Sequence, residues 1–301
     1  MISICLCTYR RPQLLRETLR SLAALVPDTP AYEVVVVDND SDGSARDVVL
    51  AEQRVPIRYY VEPMRNISRA RNRCVAEADA ELVAFIDDDE RASADWLMRL
   101  HTTLVDNRAD AVVGPVRHEF SAPPPAWLTG CGFFNYPVTE TGTKIPLEMT
   151  RTSNAIVRKS CITSLPMAFD ESLGLSGGED TDLFRRLIAS GCKCVADADA
   201  LVFERVPPQR MKLGWLVRRN FRYGNDKLHS FRREGRGAAY VGGQLLLAAL
   251  KSPYRLLASI CLIPFDRVEA VRSLLKSSFW VGVVSAGVGF KYEEYRSGPS
   301  G

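Results

Sequence analysis

The chain has 301 residues, of which 46% are hydrophobic and 25% charged, values typical of a globular protein. They exclude disorder, collagen and coiled coil as descriptions of the whole chain. The net charge of +3, from 39 basic and 36 acidic residues, is too balanced to indicate a nucleic-acid partner.

Eight cysteines are too few for a disulfide framework in a chain of this length. The N-terminus has a short apolar run followed by basic residues, the reverse of a secretory signal, so free thiols in the cytosol are expected. Two C-x-C pairs, Cys5/Cys7 and Cys192/Cys194, could share a zinc ion. Their spacing favours instead the packing of small apolar side chains.

Strand and helix patterns alternate through the first half of the chain. Apolar runs predict strands, and apolar residues three or four apart predict helices. The strands are expected at 2–7, 33–38, 57–61, 82–90 and 111–116, of which the segment 82–90 runs into a polar turn, and the helices at 13–24, 67–78 and 95–105. This order predicts an α/β fold with a mostly parallel sheet and helices on both faces.

The pattern changes after residue 116. Prolines and glycines make 117–150 a long irregular connection, which is uncommon unless it is functional. A strand is expected at 152–158 and a helix at 177–190, whose first turn is acidic, as the helix dipole favours. Short strands are expected at 193–196 and 200–204.

Three apolar stretches, 237–250, 256–265 and 277–290, distinguish the last quarter. Basic and acidic residues separate them, so none reaches the roughly 18 uncharged residues of a spanning helix. They predict two or three amphipathic helices that either pack on the preceding domain or attach to a membrane surface. A transmembrane span is the third alternative, and 297–301 is expected to be a flexible tail.

Charged and polar residues follow the predicted strands at three places. Thr8-Tyr9-Arg10 follows the first strand, Asp38 ends the second, and Asp87-Asp88-Asp89-Glu90 ends the fourth. Ligands bind at the carboxyl ends of strands in open α/β sheets. Four consecutive acids need either solvent or a cation to offset their charge, so they form a solvated turn or a Mg²⁺ or Mn²⁺ site.

Five motifs in this order carry a resemblance to a known family. They are CTYRRP (7–12), VVVVDND (34–40), RNISRARN (65–72), AFIDDDE (84–90) and GGEDTDLFRRL (177–187). Together they resemble the family 2 glycosyltransferases with the GT-A fold, over about residues 1–235. PAW at 125–127 and WLVRRNFRYGN at 215–225 resemble the ExoM-type branch, bacterial enzymes of exopolysaccharide assembly such as that of succinoglycan.

The resemblance implies a domain organisation and a set of donor-binding residues. The glycosyltransferase domain would cover 1–235, with a donor half at 1–116 and an acceptor half carrying the base at 117–235, before a C-terminal region at 236–296. Asp38 would receive the N–H of the nucleobase, and Thr8, Tyr9 and Arg10 would lie along the nucleotide. Arg71 would lie near the uracil and ribose, with Arg69 as the competing candidate.

The resemblance also implies the reacting groups. Asp89 would hold the metal, and Asp87 or Asp88 would contact ribose or sugar. Asp180 would be the general base, with Glu179 beside it. Asn154, Arg219 and Arg222 are candidate contacts to phosphate or acceptor. Ile67 replaces the usual small residue of the third motif, and the NDSDG turn after the second strand is short, which leaves the role of Asp40 open.

One base and one metal suffice for a single displacement with inversion. The expected activity is metal-dependent transfer of a hexose, by family analogy glucose, from a UDP-sugar to a lipid-linked (polyprenyl diphosphate) oligosaccharide. The expected location is the cytoplasmic face of the inner membrane, with peripheral membrane contact. Two alternatives are a sugar-nucleotide pyrophosphorylase, which wants a glycine-rich N-terminal loop that CTYRRP lacks, and a non-catalytic nucleotide-sugar or carbohydrate-binding protein, which should have lost these acids.

Overall fold

The computed structural model describes residues 1–293, which fall into two compact units. The first comprises Met1–Glu119 and Tyr136–Arg205, and the second comprises Phe120–Asn135 and the described chain from Val206. The tail expected at 297–301 lies outside the described residues.

Within residues 1–293, ten strands form two sheets. In chain order they are β1 Ile2–Thr8, β2 Tyr32–Asp38, β3 Ile57–Val61, β4 Leu82–Ile86, β5 Glu90–Ala92, β6 Ala111–Val113, β7 Val116–Phe120, β8 Asn154–Arg158, β9 Cys194–Ala196 and β10 Val202–Val206. The large sheet has the order β3-β2-β1-β4-β8-β6-β9, and the small one the order β5-β10-β7. Only β8 runs antiparallel to its neighbours in the large sheet. The predicted mostly parallel sheet is thereby confirmed.

The described part of the chain also has ten α-helices. They are α1 Pro12–Leu22, α2 Arg46–Ala51, α3 Ile67–Glu77, α4 Trp96–Asp106, α5 Ala126–Cys131, α6 Lys159–Thr163, α7 Glu179–Ala189, α8 Leu213–Arg233, α9 Ala238–Leu262 and α10 Arg267–Gly287. The first unit contains α1–α4, α6 and α7, and the second contains α5 and α8–α10. The sequence predicts that the first domain ends at residue 235, after α8. In the structure, α8 belongs to the second unit.

The core of the first unit lies on both faces of the large sheet. Alternate residues of a strand point to opposite faces, so Ile4 and Leu6 join one buried cluster with α1 and α4. Cys5 joins the other cluster, with residues of α3 and α7. Helices therefore cover both faces, as predicted.

The predicted strand at 82–90 is split between the two sheets. β4 ends at Ile86, and Glu90 begins β5 of the small sheet. The three aspartates 87–89 form the turn between them, because neighbouring carboxylates are costly to enclose in a strand.

The shared zinc site considered for the two C-x-C pairs is wrong. Cys5 and Cys7 lie on β1 and Cys194 on β9, four strand positions away in the large sheet. At a strand spacing of about 4.8 Å this is roughly 19 Å. Cys5 and Cys194 are instead buried among apolar side chains.

The second unit is built on α8, α9 and α10. Glycines let α8 and α10 approach closely: a Cβ atom on Gly224 would lie 1.8 Å from the Phe279 carbonyl oxygen, and one on Gly282 would lie 2.0 Å from that of Phe221. The predicted C-terminal helices are thus confirmed. The apolar stretches 237–250 and 256–265 fall mainly in α9, and the stretch 277–290 falls mainly in α10.

α9 spans 25 residues and continues through Pro253, Lys251 and Arg255. By length and composition, this helix could cross a membrane. An 18-residue stretch of it has a mean hydropathy of 1.4, and 11% of that stretch is buried. A transmembrane span was the third alternative for this region, because Lys251 and Arg255 interrupt its apolar residues.

Candidate active site

The polar ends of β1, β2 and β4 meet at one edge of the large sheet. These strands are parallel neighbours, and Thr8 pairs in register with Asp38. The turn of Asp87, Asp88 and Asp89 follows β4 at the same edge. This is the carboxyl edge at which the sequence predicts a ligand.

Asp88 is held by side chains of the loop after β1. Thr8 Oγ1 donates to Asp88 Oδ2 at 2.7 Å, and Arg11 Nη1 donates to Oδ1 at 3.2 Å. Arg11 also reaches Asp89 Oδ2 at 3.3 Å. The Asp88 side chain is 7% exposed, against 42% for Asp87. Asp88 therefore fixes the turn, and Asp87 is the carboxylate of this turn most open to a ligand.

The crowding of acids raises their pKa values. Burial, followed by the charge of Asp89, raises the pKa of Asp88 to about 7. Loss of part of its solvation also raises the pKa of Asp87 to about 6, although Arg71 opposes the shift. Burial and Asp87 hold the pKa of Glu90 well above its usual value. A cation would relieve this repulsion.

Arg71 joins the acidic turn to the start of α7. Its Nη1 donates to Glu179 Oε1 and to Asp180 Oδ1, and its Nη2 lies 3.3 Å from Asp87 Oδ1. Burial alone would lower the pKa of the guanidinium, but the three carboxylates outweigh it and hold the pKa well above its usual value. Two motifs that lie far apart in the chain therefore meet around one side chain.

Arg69, the competing candidate, points elsewhere. Its guanidinium pairs with Glu62 at 3.4 Å and Glu171 at 2.9 Å, and a third of its side chain is exposed. Of the two candidate arginines, Arg69 and Arg71, the structure brings Arg71 to the acids. It does so as a bridge between carboxylates, where the resemblance implied a contact with the nucleotide.

The N-terminus of α7 positions Asp180 and Glu179. Gly177 and Gly178 have φ values of 85° and 89°, which the chain needs in order to turn into the helix. Thr152 Oγ1 donates to Asp180 Oδ1 at 2.7 Å, and its N–H lies 3.4 Å from Oδ2. The Asp180 side chain is 25% exposed and that of Glu179 only 6%. Asp180 is the more accessible of the two, as the general base requires.

Asp38 is buried and bound on both oxygens by its own chain. Oδ1 accepts from the N–H of Asp40 at 3.0 Å, and Oδ2 accepts from the N–H of Ala45 at 2.7 Å and the hydroxyl of Tyr59 at 2.9 Å. These hydrogen bonds show that Asp38 stabilises the turn after β2. The nucleobase contact implied by the resemblance stays a prediction.

Arg10 and Tyr9 lie at the loop after β1. Arg10 has a φ of 53° and donates two hydrogen bonds to Asp40, each of 3.1 Å. The ring of Tyr9 has the Arg65 guanidinium 4.6 Å and that of Arg10 5.3 Å from its centroid. Basic and aromatic groups of this kind can stack on a base or meet phosphates.

Asn154 belongs to the core. Its amide nitrogen donates to the carbonyl oxygens of Pro115 and Ala200 at 2.9 and 2.7 Å, and its oxygen accepts from Trp96 Nε1 at 2.8 Å. The Asn154 side chain is completely buried, and its polar atoms are bound within the protein. In this structure it stabilises the core and is not exposed for the predicted contact with phosphate or acceptor.

The predicted phosphate contacts Arg219 and Arg222 lie on α8, in the second unit. Arg219 Nε donates to the Tyr223 hydroxyl at 3.0 Å, and its guanidinium lies 5.7 Å from the Trp215 ring centroid. Arg222 lies 5.3 Å from the Tyr223 ring. They form a basic and aromatic surface within that unit, and their predicted role in catalysis stays untested.

Sequence reasoning missed two groups of the site, Arg11 and Thr152. Arg11 contacts both Asp88 and Asp89, and Thr152 contacts Asp180. Arg11 follows Arg10 in the first motif, so its charge was a visible signal. The sequence around Thr152 carries no comparable signal, because its partner Asp180 lies in a distant segment.

The acidic turn fits a hard divalent cation. Its donor set consists of carboxylate oxygens, which Mg²⁺ and Mn²⁺ prefer. The turn carries three adjacent carboxylates, and Arg11 and Arg71 offset them only in part. Asp89 and Asp87 are the residues that would hold the ion, since Asp88 is bound by Thr8 and Arg11 on both oxygens.

Comparisons with known proteins identify the family of the chain. The model of "Glycosyl transferase family 2" matches residues 3–162, more than half of the chain. The succinoglycan biosynthesis protein ExoM of Rhizobium meliloti (strain 1021) is 38% identical over 300 residues, covering 98% of this chain and 95% of the relative. A glucosyl-dolichyl phosphate glucuronosyltransferase of Haloferax volcanii is 26% identical, covering 75% of this chain and 76% of its own.

Solved structures share the fold. The mannosyltransferase PcManGT from Pyrobaculum calidifontis, in complex with GDP-Man and Mn²⁺, superposes with a TM-score of 0.67 at 17% identity, covering 96% of this chain and 88% of that one. Residues 1–349 of S. aureus TarS, in complex with UDP, give 0.56 at 15% identity, covering 97% and 93%. The chain therefore belongs to glycosyltransferase family 2 and is a glycosyltransferase enzyme with the GT-A fold.

Proposed function

We propose that the chain is an inverting, metal-dependent hexosyltransferase that uses a UDP-sugar and extends a lipid-linked oligosaccharide in exopolysaccharide synthesis. The observation that carries the proposal is the contact of Arg71 with Asp87 on one side and with Glu179 and Asp180 on the other. It brings the candidate metal ligands and the candidate base around the same space.

Asp180 is the group that takes the proton from the acceptor hydroxyl. Thr152 and Arg71 both donate to Oδ1, whereas Oδ2 has a longer contact of 3.4 Å with the Thr152 N–H. Oδ2 is therefore the oxygen assigned to the proton. With one base, the acceptor oxygen attacks the anomeric carbon directly, the bond to the diphosphate breaks, and the configuration inverts.

Asp89 and Asp87 are the residues assigned to Mg²⁺ or Mn²⁺, which when bound would offset the negative charge that develops on the departing diphosphate. Arg11 and Thr8 hold the turn that presents these carboxylates. The loop of Tyr9 and Arg10 lies at the same edge and supplies the aromatic and basic groups assigned to the nucleotide.

The substrate classes come from the relatives. The extensive similarity to a succinoglycan biosynthesis protein supports a role in exopolysaccharide assembly. TarS binds UDP and UDP-GlcNAc, and PcManGT binds GDP-Man, so a nucleotide sugar is the expected donor. UDP and glucose are the first choices to test.

A membrane location is supported by α9. Its large apolar side chains Leu246, Leu250, Tyr254 and Leu257 are each 63–64% exposed and recur every three or four residues, so they share one helix face. Such a face suits the boundary between lipid headgroups and acyl chains, where a lipid-linked acceptor would be presented. The cytoplasmic face of the inner membrane is the proposed site of action.

The test is nucleotide release from a panel of nucleotide sugars, with Mn²⁺ or Mg²⁺ and with an extract of lipid-linked sugars as acceptor. Release should depend on one donor and be abolished by chelator and by Asp89→Ala. Asp180→Asn should lower transfer by roughly 10²–10⁴-fold and leave donor binding intact. The control is Asp106→Asn, an exposed acid at the end of α4. Full transfer by Asp180→Asn would contradict the assigned base, and metal-independent transfer would contradict the metal.

A further inference from the structure

Two cysteines and an aspartate converge at the other edge of the large sheet. The ligand atoms of Asp110, Cys161 and Cys192 all lie within 4.8 Å of one another. Asp110 directly precedes β6, Cys161 lies on α6, which follows β8, and Cys192 lies two residues before the start of β9. All three side chains are half-buried.

Strand direction brings these segments together. β8 runs antiparallel to β6, so the end of β8 lies beside the start of β6, with Val157 opposite Ala111. β9 starts at the same level, with Cys194 opposite Ala111. The opposite end of β8, at Asn154, pairs with the end of β4, just before the acidic turn. The five residues of β8 separate the two edges by about 13 Å at roughly 3.3 Å per residue, so this group is separate from the proposed active site.

The present contacts of the three ligand atoms leave room for a metal. Both cysteines are thiols and form no disulfide. The N–H of Lys193 donates to Asp110 Oδ2 at 2.8 Å and holds the carboxylate in place. The other oxygen, Oδ1, has a long contact of 3.7 Å with Arg158, whose side chain is 41% exposed and can move away. Ser190 Oγ lies 3.6 Å from Cys192 Sγ.

We propose that Asp110, Cys161 and Cys192 form a zinc site. Tetrahedral zinc with Zn–S bonds of about 2.3 Å needs its ligand atoms about 3.8 Å apart or less, which small side-chain rotations achieve from the present separations. Two thiolates and one carboxylate are a soft donor set, which selects Zn²⁺ over the Mg²⁺ or Mn²⁺ suited to the acidic turn. Water completes the coordination. The ion would tie together α6 and the starts of β6 and β9.

The experiment is Zn²⁺ titration of the reduced full-length protein in excess Mg²⁺, against a chromophoric chelator, with Co²⁺ as a spectroscopic probe. The wild type should bind one equivalent of Zn²⁺ and show thiolate-to-cobalt absorption in the near ultraviolet. Cys161→Ser/Cys192→Ser should bind at least about 100-fold more weakly and lose the absorption. Asp110→Asn, a milder change, should weaken binding and keep the absorption.

Cys261→Ser is the matched control, because Cys261 is an exposed cysteine on α9 outside the group. It should bind like the wild type, and so should Asp89→Ala, which removes the proposed ligand in the acidic turn. Equal zinc affinity in the wild type and in Cys161→Ser/Cys192→Ser would overturn the proposal. So would a wild type that binds no zinc, or one whose two thiols form a disulfide in place of the metal complex.

Discussion

Arg71 contacts three carboxylates with two different nitrogens, so its geometry matters as well as its charge. A guanidinium has a planar fork of donors, whereas lysine has one compact ammonium group. Lysine at this position would keep the charge and could not reach both the acidic turn and the start of α7. Arg71 is therefore a positioning residue that holds Asp180 and Asp87 in a fixed relation.

Arg71→Lys should lower kcat by about 10–100-fold, equivalent to the loss of one or two charge-assisted hydrogen bonds. KM for the donor should change much less, because the acidic turn keeps its contacts with Thr8 and Arg11. Steady-state kinetics on Arg71→Lys and the wild type measures the changes in kcat and KM separately. Arg69→Lys is the control on the same helix, with partners Glu62 and Glu171. A change in KM alone would favour the nucleotide contact that the family resemblance implies.

Asp182, in the first turn of α7, gives a prediction on pH. Burial would raise the pKa of its carboxyl, but hydrogen bonds from Arg185 and Arg186 at 2.6 and 2.8 Å outweigh burial and lower the pKa below its usual value. A lowered pKa stabilises the folded state above the ordinary value of about 3.9, and this contribution is lost as the pH falls through the folded pKa.

Asp182→Asn should therefore lower the free energy of unfolding at pH 7 by about 1–3 kcal/mol. The variant should lose less stability than the wild type between about pH 5 and pH 2. Urea unfolding across this range measures both effects. Parallel pH curves for the two proteins would show that Asp182 does not gain its stabilising energy from the ionised form.

At the scale of single residues, sequence motifs placed the acids correctly at the carboxyl edge of the sheet. They did not show which groups bind which. Asp38 and Asn154 match the pattern of ligand contacts but have their polar atoms bound by the protein itself. Thr152 is a contact of Asp180 from another segment. Pairings of this kind depend on long-range packing, which local sequence does not encode.

At the scale of elements, the turn before α7 decides where Asp180 lies. Gly178 precedes the helix with a φ of 89°, in the left-handed region that other residues occupy at a cost of about 1–2 kcal/mol. Gly178→Ala should lose this much stability and should also reduce transfer, because relief of the strain would move Asp180.

Gly191, after the end of the same helix, is a matched control. Its φ is 93°, and a Cβ atom there would meet nothing within 4 Å. Gly191→Ala should lose similar stability in chemical denaturation and keep its rate of transfer. Equal loss of activity in the two variants would indicate that general destabilisation, and not the position of Asp180, limits the reaction.

Element types were easier to predict than element ends. Long β-branched runs such as 34–37 gave a central strand, because only a sheet covered on both faces suits them. The segment 82–90 was predicted to be a strand that runs into a polar turn, and the strand ends at Ile86, where its apolar residues end. Of the two or three C-terminal helices expected, the structure has two, because the long basic side chains of Lys251 and Arg255 lie on α9 without breaking it.

At the scale of the whole molecule, charge and hydropathy are separated along the chain. The acids of the candidate site come from the first unit, and the helix with the exposed leucines belongs to the second. A soluble monomer rarely exposes a continuous apolar face of this length. Lys251 and Arg255 lie within α9, and basic side chains there would favour an anionic bilayer.

Leu250→Glu/Leu257→Glu should therefore release the protein from vesicles of phosphatidylethanolamine and phosphatidylglycerol. Each buried leucine contributes about 1.5–3 kcal/mol, so binding should weaken by more than about 100-fold. Vesicle flotation measures the bound fraction, and circular dichroism checks that the helices remain. Leu50→Glu is the control, because Leu50 is 67% exposed on α2 of the first unit and lies outside the α9 face. If the double variant floats as well as the wild type, the leucine face of α9 is not the membrane contact, and the lipid-linked acceptor would have to reach the enzyme by another surface.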